Sequence, residues 1–284
     1  KWEGVAKLSL NTDDTRKVVH ALHLRVDAAS ETSHETYTGL SDADFDANPW
    51  RRYVGTRDDL LTWDRWSARA RYELRLSSNT SVNVTVYRNQ FERSWAKLSG
   101  FALGKGIDEV LAAPTKGSNA VLYGVLAGQR DSTDVSEALI LGTNARTYLA
   151  QGAQVELSSA FSTGPNLRHE LVAGVRLHND TVGRRATEAT RLMQGGALVD
   201  AGTPDVTQRD ATATATALAA WAQDTVEIGA LRVSAGLRME LVQTDWTDHL
   251  DADRVDDNSF TAVIPGLAAL YTLRKGLAVL AGVH

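Results

Sequence analysis

Thr62-Trp-Asp-Arg-Trp-Ser-Ala-Arg-Ala-Arg-Tyr-Glu-Leu-Arg-Leu-Ser77 sorts into two sets when read at every second position. Ala68, Ala70, Tyr72, Leu74 and Leu76 form one set, and Arg65, Ser67, Arg69, Arg71, Glu73 and Arg75 form the other. A strand sends alternate side chains to opposite faces, so the stretch reads as a strand with one apolar and one strongly basic surface. Four arginines on one face are costly in hydrocarbon and do not pack in a dry sandwich core, yet they are ordinary in a wide, wet lumen.

The pattern repeats outward in both directions. His20, Leu22, Leu24 and Val26 oppose His23, Arg25 and Asp27, and Val82, Val84 and Val86 oppose Asn83, Thr85 and Tyr87. Further on, Leu171, Ala173, Val175 and Leu177 oppose Gly174, Arg176 and His178, while Leu231, Val233, Ala235, Leu237, Met239 and Leu241 oppose Arg232, Ser234, Gly236, Arg238 and Glu240. Roughly ten such segments occur, each near the ~10 residues that a tilted strand needs to cross a bilayer. Turn-forming connections at 11–16, 77–80, 163–166, 229–230 and 275–276 alternate with long polar ones at 38–61, 102–142, 189–210 and, shorter, 250–258.

This alternation predicts an all-β, antiparallel up-and-down transmembrane β-barrel, with short periplasmic turns at one rim and long extracellular loops at the other. In lipid every backbone N–H and C=O must be satisfied within the protein, so a sheet spans only by closing on itself. The competing reading of a single strand is a soluble sheet with one solvated face. It does not explain why the long loops all fall at one end.

Composition narrows the function classes. The chain has 284 residues, no cysteine and a formal net charge of -5. The missing thiols exclude disulfides, Cys-ligated metal centres and thiol catalysis, and the negative charge argues against a nucleic-acid partner. No apolar run approaches the roughly 18–20 residues of a spanning helix; the densest, Ala211 to Ala222, is diluted with Thr and reads as the start of a strand.

Residues Tyr37-Thr-Gly-Leu-Ser-Asp-Ala-Asp-Phe-Asp-Ala-Asn-Pro-Trp-Arg-Arg-Tyr53 resemble an external-loop stretch of TonB-dependent outer-membrane receptors of the ferric-citrate and siderophore type. Leu218-Ala-Ala-Trp-Ala-Gln-Asp-Thr225 with 231–240 resembles the family's strand-turn-strand signature, and 265–271 with 277–284 the hairpin after it. The resemblance implies a larger barrel, 22-stranded with a plugged lumen, of which this chain is an internal piece. Residues 1–284 are thus expected to form one partial barrel domain, without plug, TonB-engaging segment or C-terminal closing strand, and with His284 inside a strand. It further implies import of a ferric chelate energised through TonB, contact with outer-membrane lipid, residence in the cell outer membrane of a Gram-negative bacterium, no enzymatic activity and no cofactor or resident metal. The rivals are a passive porin-like barrel and a soluble β-sheet protein that binds carbohydrate.

Anionic, oxygen-rich chelates suit guanidinium groups. The ligand-binding candidates are Trp50, Arg51, Arg52, Tyr53 and Arg57 in the first long loop, and Gln129 and Arg130, beside Lys105 and Lys116, in the second. The competing use of Arg51, Arg52 and Arg57 is pairing with Asp42, Asp44, Asp46, Asp58 and Asp59 of their own loop. Arg65, Arg69, Arg71, Arg75, Arg176, Arg238 and Glu240 are expected to face the lumen or plug, where pairing with neighbouring carboxylates is the commoner role. Trp2, Trp63, Trp66, Trp95, Trp221 and Trp246 read as interfacial girdle or packing residues. His20 and His23, three apart, point to opposite faces of a strand and do not make a metal pair. His169 with Ser158 and Ser159 has no nucleophile elbow to support a hydrolase.

Overall fold

A computed structural model of the chain describes residues 1–13, 15–251 and 253–283. Asp14 in the first turn, Ala252 in the last loop and His284 lie outside the described residues. The rest forms one antiparallel sheet of eleven strands: β1 (Trp2–Asn11), β2 (Val19–Ser33), β3 (Leu60–Ser77), β4 (Thr80–Phe101), β5 (Leu139–Ser162), β6 (Leu167–Gln194), β7 (Ala197–Asp200), β8 (Val206–Ile228), β9 (Leu231–Asp248), β10 (Val255–Arg274) and β11 (Leu277–Val283). Spatial order follows chain order, with β7 set aside as a short partner of β6. The sheet is an up-and-down wall that does not close on itself, since β1 and β11 are its two ends. Among the described residues no second sheet stacks on it, as a soluble sandwich requires. No helix among the described residues is long and apolar enough to cross a membrane.

Side-chain parity is continuous across the wall because the register is. Leu8, Leu24, Ala70, Val86, Ala153, Leu177, Leu218 and Leu241 are successive partners in one row. In a membrane barrel the polar face lines the lumen and is the concave one; here it carries a hollow of about 500 Å³ lined from five strands by Lys7, Ser9, His23, Arg25, Arg69, Arg71, Asn83, Thr85, Gln154 and Glu156. The apolar face, the one suited to lipid, is the convex, outer one.

The outer apolar band also reports the tilt of the strands. On β3 it runs from Trp66 to Leu76 and on β9 from Leu231 to Leu241. Ten residue steps at 3.4 Å, tilted by 30–45°, give roughly 24–29 Å, the thickness of a bilayer's hydrocarbon. Following the register from Trp66 across the wall leads to Asp245, four residues above the band's edge on β9 at Leu241. Four residues over five inter-strand steps correspond to a tilt of roughly 30°. Above the band the outer face turns polar along one row, Arg88, Gln151, Asn179, Thr216, Gln243 and Ser259, with Arg88 donating to Gln151 at 3.0 Å and Asn179 to Thr216 at 3.1 Å.

Three features differ from the sequence expectation. The connection at 189–210 is mostly strand, because β6 continues to Gln194 and turns through Gly195-Gly196 (φ 57° and 75°) into β7. Two adjacent positive φ values are what a tight two-residue hairpin requires, and glycine adopts them without strain. The loops at 34–59 and 102–138 are not unstructured: they contain α1 (Asp42–Ala47), α2 (Ile107–Ala112) and α3 (Ser118–Leu126). Their apolar residues bury Tyr53, Val110, Leu111, Leu122, Val125 and Leu126 with Leu98, Phe101, Leu139 and Met193 from the strand ends, a small core at the long-loop rim. Finally, Trp63, Trp95, Trp221 and Trp246 have the parity of the concave face, so of the six girdle candidates only Trp2 and Trp66 lie on the outer face. Glycines account for Trp221, whose ring lies over Gly174 on the neighbouring strand, where a Cβ would come within 2.3 Å of it.

Candidate functional site: the concave wall and its cap

The lower concave wall is a network of guanidiniums and acids. Asp27 is flanked by Arg25 at 3.2 Å, Arg65 at 3.8 Å and the Ser67 hydroxyl at 2.5 Å, and Arg65 also reaches Glu3 at 3.6 Å. Glu73 sits between Arg71 (3.6 Å) and Arg75 (3.5 Å), and Arg71 donates to Asn83 at 3.0 Å. Arg238 pairs with Glu240 at 2.6 Å and lies over the Trp221 ring at 5.2 Å. Arg176 donates to the Tyr87 hydroxyl at 2.7 Å; that hydroxyl meets His178 at 2.5 Å, and His178 meets Asp180 at 2.7 Å. Arg69 has no carboxylate within 4.0 Å among the described residues and faces the hollow beside Lys7 and Arg25.

Higher on the same face stand residues that the sequence reading did not single out. Arg93, Arg146 and Arg184 are successive partners across β4, β5 and β6, with Trp63 of β3 opposite Arg93. A cleft of about 390 Å³ follows this row. Directly opposed residues of antiparallel strands have Cβ atoms about 5 Å apart, and like charges placed opposite one another in this way are destabilising. Below the row, Phe91 packs against Trp63 (6.0 Å) and Tyr148 (5.7 Å); above it, Lys97 lies over Trp95 (4.6 Å) and Tyr37 (5.4 Å). Periodicity alone marks Arg93 as inward, but only the register places it beside Arg146 and Arg184.

The loop candidates divide by what holds them. Trp50 is 91% exposed, and Gln129 is exposed as well. Arg51 pairs with Asp44, while Arg52 donates to the His34 carbonyl at 2.7 Å and the Thr56 hydroxyl at 3.0 Å. Tyr53, 3% exposed, donates to Asp44 at 2.5 Å, as does Tyr123. Arg57 donates to the Gly196 carbonyl at 2.6 Å and lies 3.8 Å from Asp58, and Arg130 bridges to Glu137 at 3.2 Å. The structure thus binds Arg51, Arg52, Tyr53, Arg57 and Arg130 into the cap. Lys105 is similarly held by Glu109 at 2.5 Å and Asn119 at 2.7 Å. His169 bonds to Asp224 and Thr163, not to Ser158 or Ser159, and His20 and His23 have separate partners in Tyr72 and Ser9.

Two cap carboxylates titrate in opposite directions. Burial pushes Asp44 up, but hydrogen bonds from Tyr123, Tyr53 and Ser41 and the Arg51 charge together outweigh it, leaving its pKa lowered. Burial beside Asp44 raises the Tyr123 phenol to about 12. Asp59, 0% exposed, is raised by burial despite accepting from the Leu98 amide at 2.8 Å. A lowered carboxylate gives stability above the ordinary carboxylate pKa of ~3.9 that fades as pH falls through the lowered value; a raised one gives stability below ~3.9 that fades as pH climbs through the raised value. Asp59→Asn is therefore expected to make the cap more protected at pH 7 and to abolish its gain in protection on mild acidification. Hydrogen exchange of the Leu98 amide at pH 5 and 7 measures this; an unaltered pH response in the variant contradicts it.

The TonB dependent receptor-like β-barrel family matches residues 11–283. Among solved structures, the unliganded ferric citrate transporter FecA superposes with a TM-score of 0.68 at 19% identity, covering 99% of this chain and 35% of that one. The siderophore receptor PiuA from Acinetobacter baumannii gives 0.65 at 11% identity, over 99% of this chain and 41% of that one. The open form of the ferric-catecholate import receptor Fiu from E. coli K12 gives 0.61 at 14% identity, over 99% and 46%. No sequence among curated proteins matches. At these identities the structures establish the fold, and this chain spans well under two thirds of their length. With the family's profile running over nearly all of a wall that is apolar outside and charged within, the chain belongs to the TonB-dependent receptor β-barrel family, a family of receptors and transporters, not enzymes.

Proposed function

We propose that the chain is part of the wall of an outer-membrane receptor that captures an iron chelate, ferric citrate or a siderophore, and imports it with energy delivered through TonB. The observation that carries this reading is the two-faced wall. Its outer band has the thickness of a bilayer's hydrocarbon, and its concave face presents guanidinium groups, the donors best matched to carboxylate and other oxyanionic ligands. Partners are then the ferric chelate as cargo, TonB through another part of the receptor, and outer-membrane lipid around the convex face. Trp50 and Gln129, whose side chains the cap does not use, are the loop positions we assign to ligand contact; Arg51, Arg52, Tyr53, Arg57 and Arg130 hold the cap that presents them.

Growth of a deletion strain under iron limitation, supplied with one defined chelate at a time, tests the reading. Growth is expected to fail on one chelate and to recover with the full-length gene but not in a strain lacking TonB. Unchanged growth on every chelate contradicts it.

A further inference from the structure

We propose that Asp224, with His169 and Thr163, forms a docking site on the convex face for the headgroup of a phospholipid that carries a primary ammonium. The site lies at the short-turn rim, on the face opposite the guanidinium wall, and it does not depend on what the receptor carries.

Three observations carry it. The first is an acid where the wall otherwise excludes one. β8 sends Leu218, Ala220, Ala222, Val226 and Ile228 outward, and Asp224 stands among them, two outward positions above the end of the strand. Its partners across the ladders are Leu171 on β6 and Ala235 on β9. Among the described residues the outer apolar band holds no other carboxylate. An ionisable side chain turned toward lipid is costly, and such groups mark functional positions.

Second, the acid belongs to a built arrangement. Asp224 Oδ2 accepts from His169 Nδ1 at 2.7 Å, His169 Nε2 meets the Thr163 hydroxyl at 2.8 Å, and the Phe161 ring stacks flat on the imidazole at 4.9 Å and 6°. An ionised carboxylate only accepts, so Nδ1 carries the hydrogen and both ring nitrogens are engaged within the chain. The carboxylate itself stays open: 35% of the Asp224 side chain is exposed, and Ala222 and Ala173 beside it are too short to cover it. Along the same rim His20 meets the Tyr72 hydroxyl at 2.6 Å and Thr80 meets Ser159 at 3.0 Å, a gathering of polar tips that marks the headgroup level.

Third, position selects the occupant. The convex face is turned away from the lumen, and the strands on either side of Asp224, β4 to β6 and β9 to β10, belong to this chain. What lies against the carboxylate is therefore lipid. The cation that lipid can bring is a headgroup ammonium, and a primary one offers three donors for charge-assisted hydrogen bonds to Asp224 and the Thr163 hydroxyl. An anionic glycerol headgroup brings repulsion, and a quaternary ammonium brings charge without a donor.

The test uses the full-length receptor, purified in detergent, stripped of lipid and free of iron. The probes are phosphatidylethanolamine, phosphatidylglycerol and phosphatidylcholine with identical chains, and free ethanolamine. Native mass spectrometry, which counts retained lipid, is expected to show phosphatidylethanolamine held in preference to the other two phospholipids and free ethanolamine not held. Asp224→Asn keeps the shape and removes the charge, and is expected to lower that retention by about tenfold. His169→Phe, which keeps the stack on Phe161 without the hydrogen bond, is expected to lose part of it. Asp245→Asn, on the same face at the long-loop rim, is expected to change nothing. Equal retention of the three phospholipids, or an unaltered preference in Asp224→Asn, overturns the proposal. So does recovery of the receptor as paired copies that Asp224→Asn dissociates, which would assign the face to a second copy of the chain. The measurement involves neither chelate nor TonB, so its failure and that of the growth experiment are separable.

Discussion

Val175→Arg is expected to lower the stability of the full-length barrel in lipid vesicles by about 2–4 kcal/mol, the cost of an arginine on the lipid face near mid-bilayer. Val175 lies in the middle of the outer apolar run on β6 and is 51% exposed, so nothing in the protein shields an added charge. Its chain neighbour Arg176 occupies the concave face and already carries a charge at the same depth. Gln154→Glu, directly across the ladder from Arg176, is the matched control and is expected to change stability by no more than about 0.5 kcal/mol. Urea unfolding of both variants in vesicles measures the contrast. Equal effects would mean that the two faces meet the same medium.

Gly174→Val is expected to cost about 2–3 kcal/mol, at the upper end of ordinary overpacking. A Cβ at Gly174 would lie 2.3 Å from Trp221 Cζ2 and 2.7 Å from the Val155 carbonyl, so either the indole moves or the strand does. If the indole moves, it leaves the Arg238 guanidinium stacked on it and disturbs the Arg238–Glu240 pair. A double-mutant cycle of Gly174→Ala with Trp221→Ala is expected to show a coupling above about 0.5 kcal/mol, since removing the ring relieves part of the clash. Strict additivity would place Trp221 elsewhere than over the glycine. Gly152 repeats the device two inward-facing rows up: a Cβ there would lie 2.6 Å from the Tyr87 hydroxyl.

These examples show where the sequence was informative. Period-two alternation in 62–77 and 231–241 was enough to read strands, faces and order, because a strand's two faces meet different solvents and each residue must suit its own. Trp63 and Trp221, read as girdle or packing residues, pack on the concave face, and the glycine that receives the Trp221 ring was not visible because it lies on a neighbouring strand. The helices inside the long polar connections were not read from the sequence, because their apolar residues, Val110, Leu111, Leu122 and Val125, lie in short segments and bury against strand ends far away in sequence. At the candidate site, acidic neighbours around Arg51 and Arg57 were visible, but the carbonyl partners of Arg52 and Arg57 were not, because they depend on backbone placed by the fold. The row of Arg93, Arg146 and Arg184 needed the register of three strands, a relation among residues 38 to 91 positions apart that no local pattern contains.

The two-solvent wall is open to direct measurement, because the chain contains no cysteine and single cysteines can be introduced one at a time along β9. In native membranes, cysteines at 231, 233, 235, 237, 239 and 241 are expected to resist water-soluble maleimide and to be quenched by lipid-borne probes when spin-labelled or dye-labelled. Those at 232, 234, 236, 238 and 240 are expected to show the reverse. Uniform labelling of both sets from water, or a period other than two, would contradict a sheet that separates lipid from lumen.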